Sequence, residues 1–315
     1  MANFAITGLA GYIAPRHLKA IIETGNDLVA ALDPHDSVGI IDRYAPTARF
    51  FPETERFDRH LEKLRRKGEE FRVHWFSICS PNYLHDAHIR MAFRLDADAI
   101  CEKPIVLNPW NLDALQELED ETGRRVWNVL QLRLHPSIIA LRERIARETP
   151  RDKYDIELTY ITPRGPWYLS SWKGHFDRSG GLATNIGVHF YDMLIWIFGD
   201  VEHSEVHISD PTRAGGFLEL EKARVKWFLS VDRQDSPTFD GTNAQCTHRS
   251  LKIDGEGLEF SDGFTDLHTE LYRRTLSGEG FGIEDVRPSI RLIHDIRESA
   301  PMGINSNSHP FLRGK

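Results

Sequence analysis

The first third of the chain alternates between two periods, and that alternation restricts the fold more than any other feature of the sequence. Short apolar runs, Asn3 to Thr7, Leu28 to Leu32, Val73 to Ser80, Ala97 to Cys101 and Arg125 to Leu130, are separated by stretches with helical spacing. The helical stretches are Pro15 to Thr24, Phe57 to Lys67, His85 to Arg94 and Pro109 to Thr122. Strands this apolar need cover on both faces, and a helix after each strand supplies it. The pattern predicts βαβ units around a parallel, doubly wound sheet.

Beyond about residue 135 the pattern changes. A helix over Pro136 to Glu148 leads into "YDIELTYIT", where Tyr154, Ile156, Leu158 and Tyr160 alternate with more polar neighbours, the period of a half-buried strand. The alternation returns in "ARVKWFLSV", with Ala223, Val225, Trp227, Leu229 and Val231 on one face, and in "LKIDGEGLEF", where Asp254-Gly255 predicts a hairpin turn. Between them "GVHFYDMLIWIFGD" is apolar nearly all round, so a buried helix packed on an antiparallel sheet is expected. The fold class is therefore α/β: an N-terminal dinucleotide-binding Rossmann domain over 1–135, then an α+β domain over 136–315 with an open, mostly antiparallel sheet. The tail from Pro301, rich in Ser, Asn, Pro and Gly, is expected to be loosely held.

Composition narrows the function. The 315 residues exceed the usual single core, and 40% hydrophobic with 27% charged content is that of a soluble globular protein. No run approaches the roughly 20 apolar residues that cross a bilayer, and "MANFAITGLAGYIAPRH" reads as strand and turn, so a cytoplasmic protein without a membrane partner is expected. A net charge of −8 argues against nucleic acid, which demands clustered Lys and Arg. Cys79, Cys101 and Cys246 lack metal-type spacing and read as reduced thiols, and the 15 histidines lack the paired arrangement of a metalloprotease, so no metal centre is expected.

The turn after the first strand is "GLAGYIA", with Gly8, Gly11 and Ala14 in a G-x-x-G-x-x-A spacing. Small residues let the backbone turn tightly against a pyrophosphate, which the N–H groups around Tyr12 and Ile13 would meet at the positive end of a helix. The second strand ends at Asp33, 25 positions beyond Gly8, near the place of the acid that binds the ribose hydroxyls. A carboxylate there repels a 2′-phosphate, which favours NAD over NADP; Arg43 in the next loop is the nearest cation in sequence that would oppose this.

"SPNYLH" at 80–85, "EKP" at 102–104 and "GGLATNIGVHFYD" at 180–192 then follow in order. Together they resemble the glucose-fructose oxidoreductase, inositol dehydrogenase and MocA family of nicotinamide-dependent sugar dehydrogenases over essentially the whole chain. Within it, "GYIAPRH", "DSVGIIDRYAP", "YITPRGPWYLSSWKG" and "FSDGFTDLHTELY" are most similar to the enzymes that oxidise the 3″-hydroxyl of UDP-N-acetyl-2-amino-2-deoxy-D-glucuronate for diaminated uronic acids of lipopolysaccharide O-antigen. The resemblance implies NAD as cofactor, a UDP-sugar substrate, 2-oxoglutarate as a candidate oxidant of bound NADH, a cis Lys103-Pro104 bond and a homotetramer. The apolar sheet face bearing Trp227 and Leu229 fits such subunit pairing. Two departures stand out. Asn185 occupies the place of a common family aspartate, and the glycine turn has the form used by short-chain dehydrogenases, although no tyrosine here has the lysine four residues on which that class relies.

Oxidising a secondary alcohol needs a base on the hydroxyl proton and a cation near the oxygen. Lys103 and His189 are the catalytic candidates, His189 as base and Lys103 as the group that polarises the hydroxyl, and the two assignments are exchangeable. Asp192 is expected to orient the turn or the ring. The expected cofactor contacts are Gly8, Gly11, Tyr12, Ile13, Asp33, Ser80, Pro81, Asn82, His85, Glu102, Lys103, Gln131 and Trp172. The expected substrate contacts are Lys103, Arg164, Tyr168, Lys173, Asn185, His189 and His268. A polyol or monosaccharide dehydrogenase of the same family, and a non-catalytic nucleotide sensor, are the alternatives.

Overall fold

In the computed structural model, which describes residues 1–149, 152–239, 241, 247–258 and 266–313, the apolar runs of the first third become a parallel sheet. Its strands are β1 (Asn3–Thr7), β2 (Asp27–Leu32), β3 (Arg49–Phe51), β4 (Trp75–Ile78), β5 (Asp98–Cys101) and β6 (Val126–Asn128), in the order β3-β2-β1-β4-β5-β6. Every pair is parallel. The helices between them are α1 (Ala14–Glu23), a short α2 (Ile41–Tyr44), α3 (Thr54–Lys67), α4 (His85–Arg94) and α5 (Pro109–Thr122). Ala5, Ile6, Phe76, Ala99 and Ile100 are fully buried between the helical layers, which is why these strands are apolar on both faces. The order reverses between β1 and β4, and ligands of such sheets bind outside the strand ends at that switch point. The edge strand β3 and helix α2 were not expected; three residues, only partly buried, give too short a period to read.

The second sheet is built from β7 (Tyr154–Ile161), β8 (Val201–Ser209), β9 (Arg213–Leu220), β10 (Ala223–Ser230), β11 (His248–Ile253) and β12 (Glu256–Leu258), in the order β12-β11-β7-β10-β9-β8. Four of its pairs are antiparallel and β7 with β10 is parallel. Asp254 and Gly255, both at positive φ, form the expected hairpin turn between β11 and β12. The helices of this half are α6 (Pro136–Arg147), the short α7 (Trp167–Ser170) and α8 (Phe176–Ser179), and α9 (Val188–Phe198), which a π-helical turn over Ala183–Gly187 precedes.

Trp227 of β10 is fully buried, edge-on to Tyr191 of α9 at 5.4 Å. Its cross-strand partner is Gly216, where a Cβ would collide with the Trp227 ring and the Glu205 carbonyl. The face bearing Trp227 and Leu229 is thus covered by this chain's own α9, not left open for a partner subunit.

The domain boundary also moves. One compact unit comprises Met1–Gln131 with Asp266–Arg287, the other Leu132–Thr265 with Pro288–Lys315, instead of a single cut at 135. Helix α10 (Leu267–Leu276) therefore belongs to the nucleotide unit, and α11 (Ile283–Glu298) runs from the first unit into the second. Cys246 and Thr265 lie outside the described residues. Among the described residues no helix is long and apolar enough to cross a membrane.

The tail is held, contrary to expectation. Phe311 and Leu312, at the short α12 (Pro310–Arg313), pack on Ile161, Ile208 and Phe228, and His309 Nε2 lies 3.0 Å from Thr159 Oγ1. Asn305 and Asn307 donate to Glu205 at 3.1 and 3.2 Å, beside His207 at 2.9 Å and His203 at 3.2 Å. Partial burial would raise this carboxyl, but the donors, His207 foremost, outweigh it and bring the pKa from 4.5 down to about 2. A depressed carboxylate contributes stability above its unfolded pKa and loses it as pH falls through the folded one. Glu205→Gln is expected to lower the melting temperature at neutral pH by about 2 °C or more, a gap to the wild type that closes between pH 4.5 and about 2 in a thermal-denaturation series.

Candidate active site

The turn after β1 is closed by its own backbone. Gly8 N–H donates to the Leu32 carbonyl at 2.9 Å and Gly11 N–H to the Gly8 carbonyl at 3.0 Å. Gly8 has φ +80°, and a Cβ on it would run into the Cys79 carbonyl, so only glycine lets β1 leave the sheet so close to the end of β4. Helix α1 starts at Ala14 with no side chain capping it, and none of the turn's backbone bonds uses the Tyr12 or Ile13 N–H. Asp33, buried at the end of β2, accepts from the Ala10 N–H and the His35 N–H, each at 2.9 Å. One bond per oxygen leaves each carboxylate oxygen a lone pair for a ribose hydroxyl. A dinucleotide fits these residues: small side chains where its pyrophosphate must approach, unspent amides at a helix start, and an acid at the ribose position.

The next strand ends carry the other half of the site. Ser80 and Asn82 are buried after β4, Pro81 is half-buried between them, and Lys103 is half-buried after β5 with a cis bond to Pro104. His85, placed among the cofactor contacts by sequence, is buried between two backbone turns. Its Nδ1 lies 2.7 Å from the Pro104 carbonyl and its Nε2 2.8 Å from the Ser80 carbonyl, so the ring sits between the two turns and, as a neutral imidazole with one N–H, donates to one of the two. Gln131, at the end of the unit, keeps a buried Oε1 that has no partner among the described residues.

Glu102, also buried, is held by donors from within the unit. His17 Nε2 and His268 Nε2 both meet its Oε1, at 3.0 and 3.2 Å, and its Oε2 faces the Lys103 N–H at 3.3 Å. His17 Nδ1 lies 2.7 Å from the Tyr272 hydroxyl, itself 2.6 Å from Ser77 Oγ of β4. Burial alone would raise the Glu102 carboxyl, but the two imidazole donors hold it well below the usual carboxylate range. Burial pulls His17 down by more than Glu102 lifts it, so His17 stays neutral. His268, expected to touch substrate, is thereby a buried partner of Glu102 inside the first unit. Among the described residues this trio is also the one set of potential ligand atoms, all within 4.8 Å of one another, with a spacing a metal ion could use, although its contact lengths are those of direct N–H···O bonds. His17 and Ser77 were missed by sequence; the only signal was the histidine of "GYIAPRH", a buried-face position of α1.

The second unit holds the remaining candidates. After β7 the chain passes through Arg164, Tyr168, Trp172 and Lys173 before reaching α9 with His189 on its first turn. Lys173 Nζ lies 4.4 Å from the centre of the Trp172 ring, and burial, with repulsion from Arg164, lowers its pKa. Neither Arg164 nor Lys173 has a carboxylate partner among the described residues, and Arg164 lies near enough to repel the Lys173 ammonium, so the pair is a local concentration of positive charge in an acidic protein. The Asn185 Nδ2 donates to the buried Tyr168 hydroxyl at 3.0 Å. An aspartate could only accept there, so Asn185 leaves the Tyr168 proton for another acceptor. Each oxygen of Asp192 accepts from Arg133, at 2.9 and 2.7 Å, in a buried bidentate pair. Trp172, half-buried, belongs to this unit, whereas the other expected cofactor contacts lie in the first.

Fold and site together define an NAD-dependent oxidoreductase built from a Rossmann unit and a mixed α/β unit. A family model described as the oxidoreductase family, NAD-binding Rossmann fold, matches residues 2–129, and its companion, the C-terminal alpha/beta domain, matches residues 153–232. The chain belongs to this Gfo/Idh/MocA family. It is 53% identical to the WlbA (WbpB) dehydrogenase of Thermus thermophilus, solved in complex with NAD and α-ketoglutarate and also with NAD and UDP-GlcNAcA; the match covers 99% of this chain and 100% of that one with a TM-score of 0.94. The WlbA dehydrogenase of Bordetella pertussis, 19% identical with a TM-score of 0.75 over 96% of both chains, shares the fold. Among curated relatives, the D-glucoside 3-dehydrogenase of Escherichia coli is 26% identical over 127 residues, 39% of this chain and 35% of that protein. The chain spans half or less of the length of the curated relatives it matches.

Removing the Asp33 carboxylate takes away both the ribose acceptor and the repulsion of a 2′-phosphate. Asp33→Ala is expected to cut the preference for NAD over NADP at least about tenfold, read as the ratio of dissociation constants by calorimetry.

Proposed function

We propose that this protein oxidises the 3″-hydroxyl of UDP-N-acetyl-2-amino-2-deoxy-D-glucuronate to the 3″-keto sugar, with NAD as cofactor, in the supply of diaminated uronic acids for lipopolysaccharide. The observation that carries this reading is the 53% identity, across essentially the entire chain, to a dehydrogenase solved with NAD and UDP-GlcNAcA. The cationic pair Arg164 and Lys173, with the Trp172 face beside it, supports it, since a sugar diphosphate bearing a carboxylate needs fixed positive charge and aromatic cover.

When bound, NAD supplies the hydride acceptor. Gly8, Gly11, Tyr12 and Ile13 would hold the pyrophosphate, Asp33 the adenosine ribose, and Ser80, Pro81, Asn82 and Gln131 the remaining half. On the substrate side, His189 takes the proton from the 3″-hydroxyl and Lys103 polarises the oxygen as negative charge develops on it. Tyr168, whose hydroxyl accepts from Asn185, donates its own proton to the sugar. Arg164 and Lys173 bind the diphosphate or the uronate. 2-Oxoglutarate serves as oxidant of the reduced nucleotide, as the complex of the Thermus protein with α-ketoglutarate supports. The assembly proposed is a cytoplasmic homotetramer, supported by the family resemblance alone.

Incubation with the UDP-sugar, NAD and 2-oxoglutarate is expected to give a 3″-keto sugar by mass spectrometry; absence of turnover with the oxidant present would sink the reading. A protein whose melting temperature UDP does not raise would be acting on a free polyol instead. Lys103→Met and His189→Asn should each lower kcat by about a thousandfold or more while leaving NAD affinity within about threefold.

A further inference from the structure

Glu102 is a carboxylate that the reaction does not require and that the fold nevertheless surrounds with donors. It follows β5, its Oε1 is met by His17 from α1 and by His268 from α10, and through Tyr272 the same cluster reaches Ser77 of β4. These are elements on both sides of the point where the strand order reverses. With the pyrophosphate on the turn after β1 and the adenosine ribose at Asp33 after β2, the other half of a dinucleotide extends over the ends of β4 and β5. The nicotinamide ring is cationic when oxidised and neutral when reduced, so a fixed charge at that end of the sheet discriminates between the two forms.

We propose that His17 and His268 are positioning residues that keep Glu102 ionised beside Lys103, and that this buried charge makes the site prefer the oxidised, cationic nucleotide. Without it, the positive charge of Lys103 would disfavour the oxidised ring. The donor pattern runs one way: Ser77 donates to Tyr272, Tyr272 to His17 Nδ1, and both histidines through Nε2–H to Glu102, so each member is satisfied with a single negative charge at the end.

The other groups facing Glu102 do not compete for that role. Burial pushes up the Cys79 and Cys101 thiols and the Tyr272 phenol, and it pulls down His17 and His85, which keeps all five neutral at pH 7 and above. Lys103 and His268 complete the set. With its two donors Glu102 stays ionised throughout that range. With one donor removed, burial dominates, its pKa rises, and the charge is lost as pH falls through the new value.

The inference uses only the NAD half of the proposed function, and its test is binding, not turnover. Dissociation constants for NAD and NADH are measured by calorimetry on the whole protein from about pH 7 to pH 9. Glu102→Gln should weaken NAD at least about tenfold with NADH changed less than about threefold. His268→Leu should match the wild-type NAD/NADH ratio near pH 9 and drift toward the Glu102→Gln ratio near pH 7, whereas His268→Gln, which retains an N–H donor, should keep the wild-type ratio at every pH. Should Glu102→Gln fail to fold, the two His268 variants carry the test. Equal weakening of both nucleotides, or a ratio in His268→Leu that does not respond to pH, overturns the proposal. So does one divalent ion per chain in the purified protein, because lone pairs and not N–H groups would then face Glu102. Failure of the wild type to bind either nucleotide would instead remove the NAD assignment itself.

Discussion

A carboxylate at the end of a buried strand has to be met by donors, and the first unit is arranged so that Glu102 is. The donors come from α1, which directly follows the glycine turn, and from α10, which enters the sequence more than 160 residues later. Leaving an ion of this kind unpaired costs several kcal/mol, on the order of the stability of a whole domain. The histidines that prevent this also fix α1 and α10 against the strand end from which Lys103 projects. His85 packs between the carbonyls of Ser80 and Pro104 and donates to one of them. Position and charge state at this end of the sheet are consequently set by the same few hydrogen bonds.

The second unit solves a different problem. Arg164 and Lys173 have no carboxylate partner among the described residues, Asn185 spends its amide on Tyr168 so that the phenol proton is unspent, and Arg133 neutralises Asp192 within the core. Folding alone gains little from concentrating Arg164 and Lys173 in one segment. A doubly charged ligand gains a great deal, since each charge-assisted bond is about twice as strong as a neutral one.

Much of this was legible in the sequence, and the parts that were not share a cause. Parallel strands are apolar throughout, so β1, β2, β4 and β5 announced themselves, and Gly8 with Asp33 located the nucleotide because local backbone geometry demands those residue types. His268 and Asp192 are polar residues whose partners, Glu102 and Arg133, lie in distant segments, and His85 meets backbone carbonyls that no side-chain pattern signals. Sequence marks them as chemistry-bearing without saying whether they face a ligand or another side chain. The tail was misjudged because its composition is that of a loop, whereas its hold comes from two residues, Phe311 and Leu312, landing on a sheet face whose apolar character Ile161 and Phe228 break into the alternation only locally. Trp227 misled in the opposite direction: its exposed-looking face is paired with Gly216 and roofed by Tyr191.

The return of residues 266–287 to the first unit has a consequence for how the chain is made. A ribosome releases the six parallel strands early, yet His268 and Tyr272, the partners of Glu102 and Ser77, emerge only after the whole second sheet. Domains that are contiguous in sequence can finish folding one after another during synthesis. Here the nucleotide unit stays incomplete, with a strand-end carboxylate lacking one of its donors, until residues 266–287 emerge, and the second unit is completed later still, when the segment from Pro288 onward joins its sheet.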